Sequence, residues 1–222
     1  AANQVSKSST MIRKCIHWST EKDLWPRLWK TAPRQFWYLY PNADFATSEV
    51  ENKWVPEFLP KNPEDAKYGW ELRYKPNKKI EYIQFKSGVR VYFKTYEQDV
   101  HALQGSSVHA IFADEELPES LFSELNFRLA ATAGYYHGAF TATRAQEFWR
   151  EAMEEVGTPI ERFKGAWKKQ VSLFDCTFYE DGTPSPWTED KIRDVIASCK
   201  DQNEVLRRVY GRFVRSDGRR YV

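Results

Sequence analysis

The chain has 222 residues, 29% of them charged, with a formal net charge of +2 and aromatics at 16%. So small a charge excludes a bulk polycation, no apolar run reaches membrane-spanning length, no secretory pattern is present, and Cys15, Cys176 and Cys199 lack the spacing of a disulfide frame or zinc site. What remains is a globular α/β chain of ordinary single-domain size, without repeats, able to bury a substantial core.

The run Ala1-Ala2-Asn3-Gln4-Val5-Ser6-Lys7-Ser8 has the outline of a phosphate-binding loop, in which backbone N–H groups wrap the phosphates and Lys7 reaches the outer ones. The pattern asks for glycine where Ala1 and Ser6 stand, so Ser6 must take whatever unusual φ the turn demands. The alternative is a plain capped helix start, with Ser6 and Ser8 ahead of Met11, Ile12 and Ile16. Such a loop follows a buried strand, and nothing precedes Ala1; the expectation is a fragment lacking its first strand, with neighbouring strand edges left unpaired.

Ser8 to Thr20 is expected as the helix after the loop, and Glu21 to Lys30 as an aromatic-rich connection or short helix. Gln35 to Tyr40 reads as a strand stopped by Pro41-Asn42. The apolar rhythm of Val50, Trp54 and Val55 predicts a helix from Phe45 that Pro56 ends or kinks. Lys61 to Asn77, rich in proline and charge, reads as a loop excursion. Lys79 to Phe85 and Val89 to Thr95 flank Lys86-Ser87-Gly88 as an antiparallel hairpin.

Gly105 marks a turn before Val108 to Ala113, an apolar run that suits a buried parallel strand and is tipped by Asp114-Glu115-Glu116. Nucleotide hydrolysis needs two acids at such a tip. Asp114 would hold Mg2+, usually through water, with the Ser8 hydroxyl as a second ligand, and Glu115 would orient and activate the attacking water. An isolated Asp-Glu-Glu more commonly keeps a strand end soluble; the phosphate loop upstream, in that order, favours the nucleotide.

Leu121 to Ala131 is expected as a helix with leucines on one face, and Gly138 to Thr143 as a final buried strand. Phe148 to Val156 reads as a helix, Trp167 to Phe174 as a strand running into Asp175, and Thr188 to Tyr210 as a longer helix or helix pair. His17, His101, His109 and His137 are scattered and expected to be structural.

Over its whole length the chain resembles the ATPase motor of bacteriophage terminase large subunits. AANQVSKSSTMIRKCI is similar to that family's modified phosphate loop with its Asn-Gln pair, here Asn3 and Gln4. HALQGSSVHAIFADEELPE resembles the segment in which a Gln-Gly turn, Gln104-Gly105, leads into the acid-bearing strand. LFSELNFRLAATAG looks like the helix that follows, and GAFTATRAQEF like the strand and coupling motif, with Thr141-Ala142-Thr143 in the coupling place.

The resemblance implies an α/β P-loop NTPase sheet of the ASCE, RecA-like kind flanked by helices. ATP and Mg2+ would be its cofactors, with Asn3, Gln4, Val5, Ser6, Lys7, Ser8 and Ser9 on the nucleotide, Ser8 and Asp114 on the metal, and Lys7 and Glu115 in catalysis. It implies ATP hydrolysis that drives double-stranded DNA into a procapsid in the cytoplasm of the infected bacterial host. The partners would be the portal protein, the small terminase subunit and further copies in a homo-oligomeric ring, with no membrane. Residues 1–210 would be the motor and 211–222 a linker toward an RNase H-like nuclease domain that this chain lacks, so nuclease activity is not expected.

Some relatives carry an arginine inside the phosphate loop, near where Asn3 stands. In other relatives an arginine from the neighbouring subunit completes the site, and Arg128, on the helix after the acidic strand, lies in a comparable place as the candidate arginine finger, against an ordinary surface arginine; Arg144 is a weaker one. Arg207, Arg208, Arg212, Arg215, Arg219 and Arg220 outweigh Glu204 and Asp217 in the tail and would track a phosphate backbone or merely cover a linker. Lys168 and Lys169 are further candidate contacts. Two other readings stand: another nucleic-acid-dependent ATPase such as a helicase, and a degenerate, non-enzymatic P-loop binding module.

Overall fold

The computed structural model describes residues 6–97, 106–142, 148–149 and 166–214. It divides into two compact units, one of residues 8–139 and one of residues 1–7 with 140–222.

The first unit is built on a six-stranded sheet in the order β2 (Trp70–Tyr74), β3 (Ile80–Phe85), β4 (Arg90–Thr95), β1 (Gln35–Tyr40), β5 (Ala110–Asp114), β6 (Tyr135–Ala139). From β4 to β6 the strands run parallel, with Tyr40 opposite Thr95, Leu39 opposite Ala113 and Asp114 opposite Ala139, so their C-terminal ends share one edge. At the other side β2, β3 and β4 pair antiparallel. β1 and β5 are central and nearly continuous in apolar residues, as strands covered on both faces must be.

Alternation along the strands sorts their side chains. Phe36, Tyr38, Tyr40 and Phe112 join the core formed by Met11, Ile12, Ile16 and Trp18 of α1 (Lys7–Thr20). Trp37, Leu39, Ile111 and Ala113 alternate with them and are equally buried. α4 (Glu119–Ala130) packs on β5 and β6, where the Phe122 and Tyr136 rings lie 5.1 Å apart. Each large apolar side chain removed from water here contributes about 1.5–3 kcal/mol.

The helix from Phe45 begins slightly earlier, as α3 (Ala43–Glu49), because the Asn42 side chain caps it by accepting from the Phe45 N–H at 2.8 Å. Pro56 does not end it. The chain winds on as a π-helix from Val50 to Phe58, and the Leu59 N–H donates to the Trp54 carbonyl at 2.8 Å. Proline has no N–H to place, and the wider turn accommodates it without breaking the helix. Ahead of β1, the expected short element is a 3-10 turn, Lys22–Leu24, and then α2 (Pro26–Trp29), which opens on its proline.

The β3–β4 hairpin forms as expected. Gly88 sits at φ +95° with nothing near the place of a Cβ, so the backbone angle, and not space, calls for glycine. Lys61 to Asn77 proves more than a loop, because it contains β2. That strand is half-exposed and polar, and its order comes from pairing with β3 at the sheet's end. The strand expected over Gly138 to Thr143 lies earlier, as β6, half-exposed at the opposite end of the sheet. Phe140, Thr141 and Ala142 are buried but outside any strand.

In the second unit, α5 (Glu189–Ser198) and α6 (Gln202–Arg208) form the expected helix pair. Thr188 caps the first by accepting from Lys191 N, and Asp201 caps the second by accepting from Glu204 N at 2.7 Å. No strand forms over Trp167 to Phe174; its end turns into a 3-10 helix, Phe174–Cys176. Leu173 finds helical partners, Ile192, Val205 and Val209, in place of a strand neighbour. Gly105 and Gln104 lie outside the described residues; of the helix expected over Phe148 to Val156 only Phe148 and Trp149 are described, and both are helical.

Candidate active site

Asp114 ends β5 at the sheet edge where the parallel strands finish, the position at which open α/β sheets bind ligands. It is 3% exposed. The Ser8 hydroxyl, in the first turn of α1, donates to its Oδ1 at 3.0 Å. The Tyr38 hydroxyl lies 3.4 Å from Oδ2, long for an O–H···O bond. Burial pushes the Asp114 carboxyl up to about 6, and Glu115 and Glu49 repel its charge, while the Ser8 bond acts the other way. Among the described residues no cationic side chain comes within ion-pair distance of it, so this buried acid favours a metal or a proton.

Glu115 takes φ +78°, a left-handed angle uncommon for a residue with a Cβ. Its N–H donates to the Ala139 carbonyl of β6 at 3.0 Å. The Tyr96 hydroxyl, just past β4, donates to the Asp114 carbonyl and, at 3.1 Å, to the Glu115 carbonyl. Tyr96 is itself anchored through its N–H to the Tyr40 carbonyl at 3.1 Å. The acid tip is therefore held from both neighbouring sides of the sheet, and Glu116 beyond it is buried.

In the other unit, Ser6 stands at φ +57°, the left-handed angle that the loop pattern gives to a glycine. Lys7 Nζ donates to Thr141 Oγ1 at 2.8 Å, so the lysine and the first hydroxyl of the coupling triplet meet. Thr141 and Ala142 are buried, and Ser9 is half-buried. Asn3, Gln4, Val5, Thr143 and Arg144 lie outside the described residues.

Arg128 is not at the acid edge. α4 runs back along β5, and the Arg128 carbonyl accepts from the Val108 N–H at 3.3 Å, at the strand's opposite end. A five-residue strand puts roughly 16 Å between those ends. The Arg128 guanidinium pairs with Glu124 one helical turn back, Nε to Oε1 at 2.8 Å. In the tail, Arg208 pairs with Glu204 at 2.7 Å, whereas Arg215, Arg219 and Arg220 lie outside the described residues.

Tyr38 and Tyr96 were not legible as site residues. A tyrosine that anchors a turn and one that fills a core look alike in sequence, and only the register that brings β1 and the end of β4 to β5 separates them. Among the described residues no three or more His, Cys, Asp or Glu side chains gather as a metal cage, and no helix is long and apolar enough to cross a membrane.

No curated protein matches the chain. The sequence does match the family described as "Terminase large subunit, T4likevirus-type, N-terminal" over residues 28–219. That span takes in Asp114, Glu115, Arg128 and Thr141 to Thr143, and it starts beyond Lys7 and Ser8. With most of its length so matched, the chain belongs to the terminase large-subunit family, T4-like type, and its role lies in bacteriophage DNA packaging.

Proposed function

We propose that this chain is the ATP-hydrolysing motor part of its terminase, turning ATP turnover into movement of double-stranded DNA. The observation that carries the reading is the 3.0 Å bond from the Ser8 hydroxyl to Asp114 at the C-terminal edge of the parallel strands. These are the two residues paired by sequence as ligands of Mg2+. Two oxygen donors, one of them a buried carboxylate with no ion-pair partner among the described residues, fit a small hard ion that keeps several waters and shares phosphate oxygens. Bound between Ser8 and Asp114, Mg2+ would supply positive charge against the phosphates.

The remaining roles belong to the chain's own residues. Lys7 opens α1, whose free N–H groups favour an anion, and it would bind phosphate together with Asn3, Gln4, Val5, Ser6 and Ser9. Glu115 would orient the attacking water and accept its proton. Lys7 is bonded to Thr141, so taking up a phosphate would draw the lysine off that hydroxyl and signal into Thr141-Ala142-Thr143. Arg128, at the far end of β5 from the acids, would act on the nucleotide of a neighbouring subunit in a homo-oligomeric ring. The portal protein and small terminase subunit would be the other partners, with residues 1–210 as the motor and 211–222 as the linker.

Glu115→Gln in the intact protein tests this. Steady-state ATP turnover should fall about 10²- to 10⁴-fold, the range for a lost general base, with ATP affinity by calorimetry unchanged. Undiminished turnover would remove Glu115 from its role. Absence of ATP binding by the unsubstituted protein would favour the non-enzymatic module.

A further inference from the structure

We infer that Tyr96 is a positioning residue for hydrolysis, holding the left-handed backbone of Glu115 and with it the aim of the Glu115 carboxylate. This rests on the reading of Glu115 as the general base. The carboxylate makes no hydrogen bond among the described residues, so its direction is set by the backbone beneath it. That backbone stands at φ +78°, an angle that persists only where the surroundings tie it down.

There are two ties, one on each side of Glu115. Its N–H donates to Ala139 O at 3.0 Å, the continuation of the β5–β6 ladder. Its carbonyl lies 3.1 Å from the Tyr96 hydroxyl, whose single hydrogen is shared with the nearer Asp114 carbonyl in a side-chain bond that belongs to no ladder. One phenol thus fixes the peptides of both acids. Because the Tyr96 N–H is held by Tyr40 O at 3.1 Å, the β4–β1 pair sets where that phenol sits.

Tyr96→Phe keeps the ring and deletes only the hydroxyl. In the intact protein we expect kcat for ATP to fall about 10- to 100-fold, the scale of a displaced catalytic group, with KM for ATP and the melting temperature little changed. Amide hydrogen exchange, read without nucleotide, should quicken at Glu115 and Glu116 in the same variant. A kcat unchanged by Tyr96→Phe, while Glu115→Gln is dead, overturns the role of Tyr96 and leaves the ATPase reading standing. A joint loss of kcat and melting temperature, with exchange faster throughout the sheet, assigns Tyr96 to general stability and also overturns it. If Glu115→Gln keeps full turnover, the general base is elsewhere and both inferences fall.

Discussion

His137 shows how burial sets chemistry one residue at a time. Its ring stacks on Phe112 at 5.2 Å and meets Trp18 edge-on at 4.6 Å, with Nε2 buried and unpartnered among the described residues. Burial, helped by Lys14, pulls its pKa down to about 3. The unfolded chain, with a histidine near 6.5, takes up a proton first as pH falls, so the stability held above that value is lost between it and about 3. Relative to His137→Leu, the wild type should lose up to about 1.4 kcal/mol per pH unit in that window, read from denaturant melts between pH 7 and 4. Parallel profiles would show that the imidazole charges without cost. Ser6 and Glu115 make the complementary point, since each takes a positive φ without being glycine, one in the loop pattern and one at the acid tip. The Ser6 angle was foreseeable from the loop pattern, whereas that of Glu115 depends on Tyr96 and Ala139, which no local pattern brings near.

At the scale of elements, local signals were sufficient wherever an element carries its own stop or cap. β1 ends at Tyr40 before Pro41, the β3–β4 hairpin turns at Gly88, and Thr188 and Asp201 each open a helix. Asn42 is such a device as well, and Asn42→Ala should cost about 1 kcal/mol, a fall of about 2–4 °C in melting temperature by calorimetry. A fall below one degree would mean that packing of α3 against β1 and β4 alone holds the helix start. The two misplaced strands share one cause. β2 and β6 lie at the two ends of the sheet, where a strand needs only one partner and half an apolar face, so composition marks them weakly. Trp167 to Phe174 has apolar content but pairs with no strand among the described residues, and Leu173 joins helices instead.

For the molecule as a whole, net charge bears on the DNA that a packaging protein handles. With 33 Lys and Arg against 31 Asp and Glu, the chain carries little net positive charge with which to hold DNA in bulk, so its contacts with phosphates should be local. Binding of double-stranded DNA by the intact protein, followed by anisotropy from 50 to 200 mM salt, should show a log–log slope shallower than about −5, since each phosphate neutralised contributes about −0.9. A steeper slope would demand a concentrated basic groove and overturn the expectation of few phosphate contacts. Sequence alone determined the class of sheet, the acid-tipped strand, the helix after the loop and the terminase family, because buried periodicity and short chemical motifs are written locally. Only the tertiary structure decided that Ser8 meets Asp114, that Lys7 meets Thr141, that Arg128 stands at the wrong end of β5 to serve its own acids, and that Tyr96 holds the turn between them. The reason is physical: those meetings depend on which strand lies beside which and in what register, and that is settled by the packing of distant segments against one another, not by any stretch of chain read on its own.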